Sequence, residues 1–537
     1  MGSTSLADGC VPTTFSPTIF GAEILSVSAS LVTNYSLDIP DGFRFTAPSR
    51  KIRDAQFCNV TVTYTHPGYD DKINVESWLP IDNWNGRLQA EGGGGWQAGR
   101  FELSYAGMAG AMFDGYASTT TDAGLWGSPD ADPWALKSPG NVDWYTLENF
   151  ASRCLNDQAI IGKSVVESFY GQPPSYSYWN GCSQGGRQGL MLAQRFPKAY
   201  DGIVAGAPAI YWSNNMLNSY WPEHVMRTIN EYPNVCELDA ITAAVTSKCD
   251  GLDGLTDGIV ENVDECTKKF NPYDLVGTTV DCGNTTVKIT KAAAQVAKAA
   301  WEGIVSPTGE QLWYGLSITA DLTCTVSAAS GQVCLATTDC SNGTCTLDHS
   351  NPFGWRWLSL FVAKDPNINL ANITHEELLT LLHASKQEYG SIIDTADPDL
   401  SEFKKAGGKL LSFHGLTDNI IPPKGTEQYY REVSKKVDNV EDFYRYFEIP
   451  GLAHCLGGPG QPESLFAQLQ AWVEDGVAPD SSPVSFSNSE GETQNRIICP
   501  YPRKAKYNSS CGDAAKEECW SCVTQNSTES KIQHPEL

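Results

Sequence analysis

Apolar residues in the first part of the chain alternate between strand-like and helix-like spacing. Strand-like runs cover residues 58–66, 72–79 and 87–91, and the last of these leads directly into four glycines, residues 92–95. Residues 143–170 carry apolar side chains at helical intervals. This order predicts strands followed by a helix, with exposed backbone at the glycine-rich end of the third strand.

A second group of elements surrounds the segment Gly181-Cys182-Ser183-Gln184-Gly185. A short strand at 176–179 precedes it, a helix at 186–196 follows it, and residues 201–206 form the next buried strand. Strands that alternate with helices in this way are typical of a mostly parallel sheet covered on both faces. The fold class predicted from these patterns is therefore α/β.

The alternation stops near Pro208 and resumes with a strand at 409–413, a helix at 425–436, a strand at 443–449 and a helix at 462–474. We therefore predict one α/β domain formed by residues 1–208 and 401–537. Residues 209–400, rich in Cys, Thr, Ser and Gly, are assigned to a large inserted lid domain. Four cysteines after residue 485 predict a disulfide-linked tail that packs on the α/β domain.

Composition limits the partners that the protein can have. The 537 residues are 41% hydrophobic and 19% charged, which is ordinary for a globular protein, and the formal net charge is −26. No basic stretch could follow a phosphate backbone, so nucleic acid and anionic membranes are excluded as expected partners. No apolar run is long enough to span a membrane, and we expect a soluble protein.

Cysteines and glycosylation sequons indicate secretion into an oxidising, extracellular environment. The chain has 17 cysteines, so at least one thiol is free or intermolecular, and Cys154 and Cys236 are the candidates. Seven Asn-x-Ser/Thr sequons are present, at Asn34, Asn59, Asn284, Asn342, Asn372, Asn508 and Asn526.

The segment at 181–185 fits the G-x-S-x-G pattern of a serine nucleophile. It lies between a predicted strand and helix, where a sharp turn would lift the Ser183 hydroxyl above the sheet edge. The amide groups at the start of the helix could then stabilise an oxyanion. The alternative is a glycine-rich loop without chemistry, because this short pattern is often met by chance.

A serine nucleophile needs a histidine base and an acid that orients it. His454 follows the strand at 443–449, and Asp418 follows the strand at 409–413. Both lie at carboxyl ends of strands, the edge where such sheets build their sites. His414 is a rival base, but we interpret it as a buried histidine beside the sheet.

Cys182 directly precedes Ser183, and Cys455 directly follows His454. If the serine and histidine lie within hydrogen-bonding distance, the two cysteines can come within disulfide range. They could equally be two unrelated core cysteines, since cysteine is commonly buried.

Together these residues resemble the tannase and feruloyl esterase family of α/β-hydrolases. The resemblance extends from about residue 10 to residue 511 and is carried by linked segments at 170–171, 178–187, 195–197, 200–203, 414–418 and 454–455. It implies an α/β-hydrolase fold with a large inserted lid. It also implies Ser183 as nucleophile, His454 as base, Asp418 as the orienting acid and a Cys182–Cys455 disulfide.

The resemblance further implies an oxyanion hole and a metal site. The oxyanion hole would use the Gln184 amide and the glycine loop at 93–95, for which Gly94 is chosen. The metal site would be a structural calcium ion held by Asp250, Asp253, Asp257 and the carbonyls of Leu255 and Ile259, oxygen ligands that calcium prefers. Cys249 and Cys266 enclose this segment as a plausible disulfide. Without the family, a solvated acidic turn is the better interpretation.

The predicted function is hydrolysis of aromatic acid esters through an acyl-enzyme. The resemblance implies hydroxycinnamic esters such as ferulate on plant cell-wall polysaccharides or phenolic conjugates, with gallate esters of tannins as the alternative. Leu125 stands where relatives more often have histidine, which weakens any borrowed substrate rule. A calcium-stabilised binding protein without catalysis, a Cys182 thiol nucleophile and a homodimer also remain open.

Overall fold

A computed structural model describes residues 5–283, 285–324, 333–341, 343–348, 351–487 and 491–524. The sequons at Asn284, Asn342 and Asn526 lie outside the described residues. Strands and helices are numbered in chain order.

The strands of the described residues are β1 (Glu23–Ile39), β2 (Arg50–Thr65), β3 (Ile73–Pro80), β4 (Arg87–Glu91), β5 (Ala117–Thr121), β6 (Leu136–Ser138), β7 (Asn141–Val142), β8 (Tyr176–Cys182), β9 (Gly202–Gly206), β10 (Thr279–Asp281), β11 (Thr286–Lys288), β12 (Thr338–Asp339), β13 (Thr346–Leu347), β14 (Lys409–Gly415), β15 (Tyr444–Ile449), β16 (Ser482–Ser487), β17 (Thr493–Ile498), β18 (Arg503–Tyr507) and β19 (Trp520–Thr524).

The α-helices of the same residues are α1 (Glu102–Phe113), α2 (Trp144–Glu148), α3 (Cys154–Tyr170), α4 (Gln184–Arg195), α5 (Trp212–Ile229), α6 (Val235–Cys249), α7 (Val263–Lys269), α8 (Lys291–Glu302), α9 (Phe353–Arg356), α10 (His375–Ile393), α11 (Ser401–Lys405), α12 (Pro423–Lys436) and α13 (Leu465–Asp475).

A nine-stranded mixed sheet forms the centre of the molecule, in the order β1-β2-β3-β5-β4-β8-β9-β14-β15. Pairing is antiparallel from β1 to β5 and parallel from β5 through β4 to β15. Almost every residue of β8, β9 and β14 is buried, as expected for parallel strands with helices on both faces. The predicted α/β class is confirmed.

The predicted elements around the central strands are present, with shifted ends. The strand predicted at 176–179 continues to Cys182, so the strand itself delivers the chain to Ser183. The helix predicted at 143–170 is interrupted by a π-helical turn, Asn149–Arg153, between α2 and α3. The long edge strand β1 was not predicted, because most of its residues are exposed or half-buried and many are polar.

The predicted insert is built mainly from helices α5 to α10. One hydrophobic cluster contains residues from both the α/β part and the insert. Trp96 lies 5.2 Å from Trp212 between ring centroids, and Trp212 lies 6.3 Å from Trp357. The insert therefore shares its core with the sheet, while the boundaries at 208 and 401 stay a prediction.

Eight disulfides link sixteen of the cysteines, and Cys154 is the free, buried thiol. The pairs are Cys10–Cys58, Cys182–Cys455, Cys236–Cys282, Cys249–Cys266, Cys324–Cys334, Cys340–Cys345, Cys499–Cys522 and Cys511–Cys519. The expectation that Cys236 lacks a partner was wrong: the start of α6 lies beside the β10–β11 hairpin, whose turn carries Cys282. The two tail pairs agree with the predicted disulfide-linked tail.

Among the described residues, no helix combines the length and the apolar character needed to cross a membrane.

Candidate active site

Ser183 occupies a strained turn between β8 and α4. Its backbone has φ 61° and ψ −119°, a conformation that non-glycine residues rarely adopt and that is often found at functional sites. A Cβ atom at Gly181 would lie 2.6 Å from the Gly185 backbone, so only glycine fits there. The Ser183 N–H donates to the Gly206 carbonyl at the end of β9, which fixes the turn to the sheet.

Asp418 and His454 meet at the carboxyl ends of β14 and β15. His454 Nδ1 lies 2.8 Å from Asp418 Oδ2. The other oxygen, Oδ1, accepts from the backbone N–H groups of Ile420 and Ile421, both at 2.8 Å. Burial alone would raise the pKa of Asp418, but the charge of His454 and the hydrogen bonds from His414 and His454 outweigh it and hold the pKa well below its usual range. The carboxylate is therefore ionised and oriented.

A disulfide joins the serine turn to the histidine loop. Cys182 and Cys455 are bonded, with their Cα atoms 5.9 Å apart and a sequence separation of 273. Since Ser183 and His454 are the chain neighbours of these cysteines, the bridge holds both side chains at the same edge of the sheet. The pairing implied by the family resemblance is present in the structure.

The glycine loop after β4 packs directly against the serine turn. Gly185 N–H donates to the Gly93 carbonyl at 3.0 Å, and a Cβ at Gly92 would lie 2.7 Å from Gly185 Cα. This close approach explains why glycines are needed there. These contacts with the start of α4 hold the loop in place, which is not expected of a flexible linker.

The amide groups of this region differ in their availability to an oxyanion. The Gln184 N–H has no acceptor among the described residues, as the predicted role requires. The Gly94 N–H donates to Gln97 O at 3.1 Å, and the Gly93 N–H donates to Gln188 Oε1 at 2.8 Å. The next amide, that of Gly95, has no acceptor in the described part of the chain, so the geometry favours Gly95 over Gly94 as the second donor.

His414 contacts Asp418, and the sequence did not indicate this contact. Its Nε2 lies 3.0 Å from Asp418 Oδ2, the oxygen that also faces His454. As predicted, His414 is fully buried. The signal that could have suggested this contact is its position four residues before Asp418, but a loop of that length can fold in many ways.

The predicted lid contacts the loops that carry Asp418 and His454. Asn419 donates to Val333 O at 3.0 Å, and its Oδ1 accepts from the His454 N–H at 3.4 Å. Thr319 donates to the Leu416 carbonyl at 2.9 Å. The insert is thus hydrogen-bonded to the loop that carries Asp418, and Asn419 of that loop links it to the backbone of His454.

The residues implied for calcium form one acidic loop. Both oxygens of Asp250 accept backbone N–H groups, from Asp257 and from Gly258, each at 3.0 Å, and Asp257 also forms an ion pair with Arg496. All five implied ligands offer oxygen atoms, so the donor set fits a hard cation. Within the described residues, no three acidic, His or Cys side chains converge closely enough to hold a metal. The calcium assignment stays a prediction.

The sequence matches a known protein family over most of its length. A family model described as tannase and feruloyl esterase matches residues 58–523. The chain belongs to the tannase and feruloyl esterase family. Its mixed sheet, with a strained serine turn after a central parallel strand, is the α/β-hydrolase fold that this family shares.

Named relatives and solved structures within the family are similar over nearly the whole chain. The protein named "Probable feruloyl esterase" of Arthroderma benhamiae is 40% identical over 519 residues, covering 94% of this chain and 92% of its own. The tannase of Aspergillus oryzae is 30% identical over 505 residues, covering 83% of each chain. The structure of tannin acyl hydrolase from Aspergillus niger superposes with a TM-score of 0.84 at 29% identity, covering 97% of this chain and 96% of its own.

Proposed function

We propose that this protein is a serine carboxylic-ester hydrolase that releases aromatic acids from their esters. The observation that carries the proposal is the His454–Asp418 contact, held beside Ser183 by the Cys182–Cys455 bridge. A strained serine, an oriented histidine and an ionised aspartate are what nucleophilic acyl transfer requires. Family relatives named feruloyl esterase and tannase support the same chemistry.

The reaction follows from the roles of these groups. Ser183 Oγ attacks the ester carbonyl while His454 takes its proton, and Asp418 stabilises the imidazolium that forms. The Gln184 and Gly95 amides would stabilise the oxyanion at the start of α4. His454 then protonates the leaving alcohol, and water, activated by the same histidine, hydrolyses the acyl-enzyme.

An aromatic acyl group is favoured by the side chains beside the glycine loop. A Cβ at Gly94 would lie 2.9 Å from the Phe101 ring, and one at Gly95 would lie 3.3 Å from the Phe353 ring. Two phenylalanines thus border the proposed oxyanion loop and could stack on an aromatic acid. Hydroxycinnamic esters such as ferulate are the proposed substrates, because the 40% identical relative carries the name "Probable feruloyl esterase". Gallate esters are the alternative.

Release of free acid from methyl ferulate, methyl caffeate and methyl gallate tests the proposal. Ser183→Ala should lower turnover of every ester by several orders of magnitude, because the acyl-enzyme cannot form. Ser175→Ala, an exposed serine just before β8, is the matched control and should behave like the parent protein. If Ser183→Ala retains more than a few per cent of the activity, the serine mechanism is wrong. The ester cleaved fastest identifies the acyl preference.

We further propose that the protein is secreted and that the loop carrying Asp250 binds a structural calcium ion. Eight disulfides support an oxidising compartment. The oxygen donor set of the loop supports calcium, which would hold the loop between Asp250 and Ile259 without entering the reaction. Calcium added to chelator-treated protein should raise Tm by an amount that grows with the logarithm of the free calcium concentration over Kd, whereas magnesium should not. An unchanged Tm would contradict the calcium proposal.

A further inference from the structure

His414 on β14 donates a hydrogen bond to the same oxygen of Asp418 that faces His454. Nε2 of His414 lies 3.0 Å from Asp418 Oδ2, and Nδ1 of His454 lies 2.8 Å from that oxygen. We propose that His414 is a positioning residue of the triad, whose neutral imidazole holds Asp418 Oδ2 toward His454 and whose tautomer is set by Thr426 on α12. This inference rests on the proposed function and adds a fourth and a fifth residue to its machinery.

The hydrogen-bond partners of His414 assign its tautomer. Nε2 faces two acceptors, Asp418 Oδ2 and the Ile421 carbonyl at 3.1 Å, so this nitrogen must carry a hydrogen. Nδ1 lies 2.8 Å from Thr426 Oγ1, a hydroxyl that can donate to it. A neutral ring with hydrogen on Nε2 satisfies all these contacts. Because His414 and Thr426 are both buried, water cannot replace a lost partner easily.

Neutral and charged forms of His414 would have opposite effects on catalysis. The neutral ring orients the carboxylate and leaves its full negative charge to stabilise the His454 imidazolium that forms during the reaction. A charged ring would compete with that imidazolium for the same oxygen. The Thr426 hydroxyl favours the neutral form by occupying the Nδ1 lone pair.

Other titratable groups lie on the elements beside His414. Glu448 on β15 is in register with His414, and Glu427 follows Thr426 on α12. Lys424 on α12 forms an ion pair with Glu427. Burial, followed by the nearby charge of Glu427, raises the pKa of Glu448 to about 7. The kinetics of the His414 and Thr426 variants are therefore repeated in a Glu448→Gln background.

Two variants of His414 separate positioning from packing. His414→Leu removes the donor while keeping an apolar side chain of similar size, and His414→Gln places an amide N–H near the former Nε2. We expect His414→Leu to lower kcat by about 10- to 100-fold with KM nearly unchanged, the effect of one hydrogen bond to a charged group. His414→Gln should recover most of kcat.

Substitution of Thr426 tests the tautomer without touching the histidine. Thr426→Val removes the hydroxyl with little change in shape, so the His414 ring loses the donor to Nδ1 that keeps its hydrogen on Nε2. kcat should then fall with KM nearly unchanged, and Thr426→Ser, which keeps the hydroxyl, should recover most of kcat. The same differences should persist in a Glu448→Gln background.

The outcomes distinguish this inference from the proposed function. A parent-like kcat in His414→Leu would overturn it, and so would equal impairment of the Leu and Gln variants. If His414→Leu does not fold, Thr426→Val decides: a parent-like kcat then refutes the tautomer and with it the proposal. Ser183→Ala is measured beside them, and activity retained in that variant would refute the serine mechanism instead.

Discussion

Arg187 carries a buried charge one turn after Ser183 on α4. Its Nε donates to Gln184 Oε1 at 2.6 Å, and its terminal nitrogens donate to three backbone carbonyls, those of Phe150, Ala151 and Ile393. Burial lowers the pKa of Arg187 to about 9. The planar guanidinium therefore connects the helix behind the nucleophile to the π-helical turn and to the end of α10.

Arg187→Lys should destabilise the protein by roughly 2–4 kcal/mol, because an ammonium group cannot reach all four acceptors and leaves buried carbonyls without partners. Arg195→Lys on the same helix is the matched control, since Arg195 is exposed and its loss should cost less than about 1 kcal/mol. Urea denaturation of the three proteins measures the difference. Equal midpoints for the two variants would contradict the role assigned to Arg187.

Single residues can be assigned from the sequence when their chemistry depends on their chain neighbours. Ser183 is marked by its flanking glycines, and the structure explains both of them by close backbone contacts. His414 and Arg187 could not be assigned in this way, because their partners come from other elements of the fold. The choice of Gly94 over Gly95 failed to anticipate a local turn, in which Gly94 and Gln97 exchange backbone hydrogen bonds.

The central strands and helices place the candidate triad. Ser183, Asp418 and His454 follow β8, β14 and β15, and β9 lies between β8 and β14. The buried apolar runs of these strands predict them from sequence, and their parallel order follows once helices separate them. The ends of the polar edge strand β1 and of the insert helices could not be predicted in the same way, because exposed and buried positions are mixed along these elements.

The Cys182–Cys455 disulfide should matter more for activity than for stability. The Cys182→Ala, Cys455→Ala double variant loosens the attachment of the serine turn to the histidine loop, and proton transfer tolerates only sub-ångström displacement. In the loop-entropy model the Cys182–Cys455 bridge contributes about 5.6 kcal/mol and Cys10–Cys58 about 4 kcal/mol, although measured values often fall short. We therefore expect both double variants to lose similar stability, and only the first to lose kcat.

The measurement is kcat at a temperature where both double variants are folded, with denaturation curves recorded on the same samples. The Cys10–Cys58 bridge joins the N-terminal segment to β2 and serves as the matched control. A similar fall of kcat in both variants would mean that the bridge beside the site acts only through global stability.

The largest hydrophobic cluster of the described residues spans both the sheet and the insert. Trp96 of the glycine loop, Trp212 at the start of α5 and Trp357 after α9 pack together in it. All three side chains are almost completely buried. The sequence could not show that the core is continuous, since contacts between distant segments leave no local pattern.

Buried ionisable groups make the stability of the whole chain depend on pH. His66 lies between Asp71 and Asp157, at 2.7 and 3.0 Å. Burial opposes its charge, but the hydrogen bonds to the two carboxylates raise the pKa of His66 to about 9. Burial raises the pKa of Glu91 to about 8. A pKa raised by folding means that the native state binds more protons, so both groups reduce stability as pH rises toward 8 or 9.

Groups whose pKa is lowered by folding act in the opposite direction at acid pH. Burial would raise the pKa of Asp71, but the hydrogen bonds from His66 outweigh it and lower the pKa to about 2, and the pKa of Asp418 is also well below its usual range. These two carboxylates stabilise the native state when the pH is above the usual pKa range of carboxyl groups, and this stabilisation is lost as the pH falls through that range. The net charge of −26 at pH 7 adds repulsion on the alkaline side. Stability should therefore be highest at about pH 4 to 5.

Glu91→Gln tests the alkaline part of this dependence. The Glu91 carboxyl is 2% exposed and accepts from Gln89 and Asn180 below the glycine loop, so its ionisation is the costly step that the amide cannot undergo. Between pH 5 and 8, Tm of the variant should fall less steeply than Tm of the parent protein. Glu102→Gln, an exposed carboxyl at the start of α1, removes the same formal charge and should leave the slope unchanged. Parallel Tm curves for the parent and Glu91→Gln would show that Glu91 does not set the alkaline dependence.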